Sequence, residues 1–235
     1  MQVICGTISN AVNVCRTIHC FWAGGAKTKL AERCLASWRK FAPDWEICEW
    51  NLSNIPDESM LPSFCVEAVR RRKWAMVSDW VRMWALKEHG GLYLDFDVEL
   101  VRPLDELPDG EWVAGEWTAK NDIWMNPGGG IALVAGSALS TEMLDRYERL
   151  KFDPQMEMMA WINENLKDAG DLKVLDPEVM CPIGVDGKLH RTERTVGIHW
   201  YAMSWASTQR KLARWLSWHG MRWVVDGLLK VRDGR

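Results

Sequence analysis

The sequence contains no stretch of about eighteen consecutive apolar residues, so it offers no candidate transmembrane helix. Its first ten residues, MQVICGTISN, lack the basic start and apolar stretch of a signal peptide. The seven cysteines are an odd number with no C-x-x-C spacing, which argues against both a zinc site and a disulfide framework. These absences lead us to expect a cytoplasmic protein with reduced thiols. Only five histidines occur, at positions 19, 89, 190, 199 and 219, too scattered for a multi-histidine metal cluster. The one glycine run, Gly128–Gly130, has neither Walker nor G-x-G-x-x-G spacing. Internal repeats and low-complexity linkers are absent.

What is present is ordinary in bulk: 235 residues, 48% hydrophobic and 26% charged, consistent with one large globular domain or a domain with a small appendage. Sixteen tryptophans stand out. Most are expected in the core, with some lining a binding cleft, where a large amphipathic ring is useful. The net charge of −3 hides an asymmetry, because residues 186–235 carry ten basic and four acidic residues. This basic segment, expected to be helical from about residue 206, reads as a solvated face or as a contact for an anionic partner.

The pattern along the chain is that of an α/β protein. A short β-type run at 16–25 precedes a helical one at 29–41, and a second strand is expected at 44–51. After a proline-punctuated loop, one helix is expected from about Phe64 to His89, stopped by Gly90-Gly91. A strand from Leu92 to Leu100 follows, then strands at 112–117 and near 129–137. Helices are expected at 140–150 and 155–167, a short strand near 171–177, and another strand at 195–201.

The Gly90–Leu100 segment carries Asp95, Asp97 and Glu99 on alternate positions. In a strand, side chains two apart share a face, so Asp95 and Asp97 are expected to project together. Like charges so close raise each other's pKa unless a cation intervenes. Hard carboxylate oxygens at a strand end suit Mg²⁺ or Mn²⁺ bound with a diphosphate. Upstream, Asp79 and Arg82 share one face of an otherwise apolar helix, with Ser78 alongside. They read as an internal ion pair or as functional groups.

Three segments then carry a resemblance: IHCFWAGG, SWRKFAPDWEICEWN, and AMVSDWVRMWALKEHGGLYLDFDVELVRPLDEL. Together they are similar to glycosyltransferases with a DXD-containing sugar-binding region, over roughly residues 16–107, with a weaker echo at GIHWYAMSW. Capsular polysaccharide glycosyltransferases and the initiating α-1,6-mannosyltransferase belong to this group, and clostridial toxin glucosyltransferase domains are more distant members. The resemblance implies a GT-A type nucleotide-sugar-binding fold, with a mixed central sheet flanked by helices. It implies transfer of a hexose from a UDP- or GDP-sugar to an acceptor hydroxyl, with retention of configuration.

By the same resemblance, Asp95 and Asp97 meet the metal, ribose and diphosphate. Asp79 and Arg82, with Ser78 and Tyr93 beside them, bind the sugar. Trp22 stacks on the nucleotide base, and Asn51 adds a polar contact. His199 matches a histidine that completes the metal shell, or is a core histidine. Ser204 and Trp205 match a loop that closes over the diphosphate. Asp122 and Asn126 are further polar candidates, or are turn residues. Two other readings remain open: a metal-dependent phosphoesterase, and a sugar-binding module without turnover. The acceptor is a glycan, lipid, protein or nucleic acid. An anionic acceptor would engage Arg210, Arg214 and Arg222. Oligomeric state is not indicated.

Overall fold

In the computed structural model, residues 14–120, 122–153, 156, 158–166 and 172–202 are described. The expected basic C-terminal helix, with Ser204, Trp205 and the three arginines, lies outside them. No helix among the described residues is long and apolar enough to cross a membrane.

The chain opens with strand β1 (Thr17–Phe21), helix α1 (Lys29–Phe41) and strand β2 (Glu46–Trp50). The Thr28 side chain caps α1 by accepting from the Ala31 N–H at 3.2 Å, and Arg39 and Lys40 sit in its last turn. β1 and β2 pair in parallel, with Thr17 opposite Glu46 and Phe21 opposite Trp50. Helices α2 (Ser63–Arg70) and α3 (Trp74–His89) follow. They replace the single helix expected over 64–89. The break falls at Arg71–Lys73, where Arg72 takes φ +54°, a left-handed conformation that ends a helix.

α3 is apolar nearly all round and buries Met76, Val77, Trp80, Val81, Met83, Ala85 and Leu86. It ends at Gly90, whose φ is +64° and where a Cβ would lie 2.6 Å from the Ala135 nitrogen. Strand β3 (Gly91–Tyr93) then pairs in parallel with β1. Strand β4 (Val98–Leu100) is separate from β3. The continuous strand expected over Leu92–Leu100 is therefore corrected: the chain turns at Leu94–Asp97, with the Val98 N–H returning to the Asp95 carbonyl at 3.0 Å.

The remaining elements are β5 (Trp112–Trp117), β6 (Ile123–Met125), β7 (Ile131–Leu133), α4 (Ala138–Arg149), α5 (Met158–Leu166), β8 (Lys173–Leu175), α6 (Pro177–Met180) and β9 (Gly197–His199). The main sheet runs β2-β1-β3-β7-β5-β6, with β8 also paired to β5. It is mixed, because β7 is antiparallel to β3 and to β5. β4 and β9 form a two-stranded ribbon that sets Val98 opposite His199.

Two apolar clusters flank the sheet. One joins α1 to Ile18, Leu92, Leu94 and β4; the other joins α2 to α5 with Phe21, Tyr93, Val113 and Ile131. Within the first, Trp38 of α1 is fully buried and its indole N–H donates to the Val98 carbonyl at 2.7 Å. The Leu100 N–H donates to Ser37 Oγ at 2.9 Å. Helix α1 thereby holds β4, and with it the turn that carries the acids.

Candidate active site

The turn between β3 and β4 brings Asp95 and Asp97 together, and the ribbon brings His199 to them. Ligand atoms of Asp95, Asp97 and His199 lie within 4.8 Å of one another. Asp95 is fixed by its backbone N–H to the Gly128 carbonyl at 3.0 Å. Gly128 leaves room for it, because a Cβ there would lie 2.5 Å from Asp95 Oδ2 and displace the carboxylate. Asp97 Oδ1 lies 3.2 Å from His199 Nε2, and its Oδ2 accepts from the Ala202 N–H at 2.7 Å. The Asp97 carbonyl accepts from the Trp200 N–H at 2.9 Å. The second acid thus anchors the chain that leaves β9.

Charge is balanced pair by pair. Arg82 Nη1 donates to Asp79 Oδ1 at 2.7 Å and Nη2 to Asp95 Oδ1 at 3.1 Å. Burial alone would pull the Arg82 pKa down, but Asp95 and Asp79 more than offset it and hold the guanidinium firmly charged. Burial pushes the Asp79 carboxyl up against the opposing pull of Arg82. Burial likewise raises Asp95, with Asp97 adding like-charge repulsion and Arg82 resisting. Asp97 runs the other way: burial would raise it, but His199 brings it below its ordinary value. His199 is raised well above its usual range, Asp97 outweighing a burial effect that acts downward.

His199 is oriented from behind. Asn126 Oδ1 accepts from the Gly128 and Gly129 N–H groups, each at 3.1 Å. That fixes its amide so that Nδ2 faces Glu116 Oε2 at 2.7 Å and His199 Nδ1 at 3.2 Å. The Tyr201 hydroxyl donates to the same Glu116 oxygen at 2.8 Å, and its ring lies 4.1 Å from the His199 ring. Tyr201 is held at φ +50°, a strained conformation for a residue with a side chain.

Two carboxylates and an imidazole, converging and partly open, fit a divalent cation such as Mn²⁺ or Mg²⁺. Two of the three donors are hard oxygens whose mutual repulsion such a cation would relieve.

Ser78 and Tyr93 lie beside this centre, their hydroxyls 2.9 Å apart, and the Arg82 guanidinium stands 4.8 Å over the Tyr93 ring. Trp22 and Asn51 are in an adjoining cleft of about 410 Å³ at the carboxyl ends of β1 and β2. Phe96, between the two acids, joins the regions by edge-on contact with Trp22 at 5.3 Å. The Trp22 indole N–H donates to the Gly25 carbonyl at 2.9 Å. Asn51 Oδ1 accepts from the Ser53 N–H and Oγ, so its amide nitrogen is the group left to face a ligand.

Not every acid belongs here. Glu99 turns away, to Arg33 at 3.1 Å and the Trp200 indole at 2.8 Å. Asp122 closes a turn with Thr118, through two hydrogen bonds of 2.9 and 3.2 Å. Sequence reasoning missed Glu116 and Tyr201. Tyr201 had one signal, its two-residue spacing from His199; Glu116 had none, since β5 reaches the site only through the fold.

A family model described as "Glycosyltransferase sugar-binding region containing DXD motif" matches residues 28–114. This segment resembles a DXD-containing glycosyltransferase region. The matched span is similar to that sugar-binding region and includes the Asp95-Phe96-Asp97 sequence. Two solved glycosyltransferases share its fold. The PaToxG glycosyltransferase is 18% identical, with 67% of this chain and 70% of that one covered at a TM-score of 0.50. A glycosyltransferase involved in the glycosylation of the major capsid of PBCV-1 is 12% identical, with 88% and 99% covered at a TM-score of 0.51. The fold is accordingly of GT-A type. No curated protein sequence matches this chain.

Proposed function

We propose that the chain is one metal-dependent GT-A domain that moves a hexose from a UDP- or GDP-sugar to an acceptor hydroxyl, with retention of configuration. The observation that carries this reading is the convergence of Asp95, Asp97 and His199 on one side of a turn whose other side meets the buried Asp79–Arg82 pair.

Asp95, Asp97 and His199 hold the cation, which supplies positive charge against the diphosphate leaving group. Arg82 positions Asp95 and adds a fixed positive charge near the developing negative charge. Asp79, held by Arg82, accepts hydrogen bonds from the sugar hydroxyls, and Ser78 and Tyr93 complete that wall. Trp22 and Asn51 receive the base, since a flat ring suits the indole. Asp97 also ties down the backbone at Ala202, the last described residue before Ser204 and Trp205.

The test is donor turnover. A panel of UDP- and GDP-sugars is incubated with the protein and Mn²⁺, and free nucleoside diphosphate is measured. Release that disappears with Asp95→Asn or Asp97→Asn supports the reading. Binding of a nucleotide sugar with no release on any acceptor would instead make the protein a binding module.

A further inference from the structure

The β5–β6 hairpin carries an indole that no other described residue engages. β5 and β6 pair antiparallel, with Glu116 directly opposite Trp124. Directly opposed residues in such a ladder project from the same face. Trp124 therefore shares a face with Glu116, the carboxylate that receives Asn126 and Tyr201 behind His199. It is 39% exposed, the exposed tryptophan among the described residues, and has no ring contact or hydrogen-bond partner there. By contrast, Trp22, Trp38, Trp50, Trp117 and Trp200 are all engaged by neighbouring side chains or carbonyls.

The edge itself is finished. Asn163 of α5 donates to the Met125 carbonyl at 3.0 Å and accepts its N–H at 2.8 Å, so at Met125 the strand offers no free backbone groups for an added strand. What remains for a ligand is the side-chain face. Glu116 completes its chemistry: Oε2 is taken by Asn126 and Tyr201, whereas Oε1 has no partner among the described residues. A flat apolar ring beside an open carboxylate oxygen matches a pyranose, which has one face of C–H bonds and a rim of hydroxyl donors. A lipid chain would leave the carboxylate unanswered.

We propose that Trp124 and Glu116 form the acceptor subsite, and that the acceptor is a glycan whose terminal pyranose stacks on the Trp124 indole. The inference rests on the donor reading above. In the transfer, the bond from the anomeric carbon to the phosphate oxygen breaks. The acceptor oxygen bonds to that carbon, and its proton leaves with the nucleoside diphosphate.

The experiment supplies the Mn²⁺-loaded protein with the donor it hydrolyses. The acceptor probes are methyl glycosides of glucose, galactose, mannose and N-acetylglucosamine, compared with a serine-containing peptide and a long-chain alcohol. Transfer to a glycoside is expected. Trp124→Ala should raise the glycoside KM at least tenfold with little change in kcat, and Trp124→Phe should recover most of it. Saturation-transfer NMR should detect the glycoside ring protons on the wild-type protein and lose them with Trp124→Ala. Circular dichroism checks that the variants are folded. Transfer only to the peptide or the alcohol, or an unchanged glycoside KM in Trp124→Ala, overturns the acceptor proposal while donor hydrolysis leaves the donor reading standing. A wild-type protein that turns over no nucleotide sugar overturns both.

Discussion

Replacing Arg82 with Met should cost more stability than any other single change near the site. The Arg82 side chain is 3% exposed and lies between Asp79 and Asp95, whose side chains are 11% and 33% exposed. Without it, Asp95 can draw on water, but Asp79 is left as a buried, unpaired carboxylate. Breaking a buried pair in this way costs about 3–5 kcal/mol. For a protein of this size, at about 2–4 °C per kcal/mol, the melting temperature should fall by roughly 6–20 °C.

The pH dependence has a definite sign. Asp79 is already raised in the folded state, and removing Arg82 raises it further. A raised carboxyl makes the folded state bind its proton more readily than the unfolded one. The deficit of Arg82→Met is therefore greatest above the folded Asp79 pKa and shrinks as pH falls through it. Asp79→Leu added to Arg82→Met removes the orphaned charge and should restore much of the loss. Thermal melts of the two single variants and the double, at pH 7 and pH 4.5, form the cycle. A single variant melting with the wild type, or a double variant no more stable than Arg82→Met, would refute the claim that the pair is buried and mutually dependent.

Other expectations follow from the same contacts. Gly128→Ala forces a Cβ toward Asp95 Oδ2, so Mn²⁺ affinity measured by electron paramagnetic resonance should weaken while the fold survives. Asn126→Leu removes the amide that faces His199 Nδ1 and should weaken Mn²⁺ binding about 10–100-fold, the usual cost of losing an orienting partner. Because Asp97 raises the His199 pKa above its ordinary value, Mn²⁺ must displace a proton there; affinity should rise with pH, and lose that slope in His199→Ala. His19 is buried and lowered to about 4, chiefly by desolvation, so the unfolded chain takes up its proton first as pH falls. Stability should decline by about 3 kcal/mol between pH 6.5 and 4, and His19→Gln should flatten that slope in urea titrations.

Local signals explain which parts of the molecule were readable beforehand. The β1–α1–β2 unit could be read because its apolar spacing is regular. The Ser78–Arg82 block and the D-x-D element were legible because their chemistry lies within a few residues. The grouping of Asp95 and Asp97 was anticipated on wrong geometry. They converge through a turn held by Gly128 and Val98, and the long-range Gly128 partner gives no local cue. The helix break at Arg72 was hidden because the polar run RRRK does not interrupt helical spacing. Glu116 reaches the site across β5, ten residues from Asn126 and 85 from Tyr201, so no window of sequence joins them. Trp124 was one of sixteen tryptophans, and only the register of β5 against β6 sets it on the same face as Glu116.

The most direct measurement follows release of nucleoside diphosphate from the preferred nucleotide sugar, with Mn²⁺ and after chelation, for the wild type and for Asp95→Asn/Asp97→Asn. A bridging cation predicts rapid release by the Mn²⁺-loaded wild type, and near-background release both after chelation and in the double variant. Equal release from the chelated double variant would contradict the account.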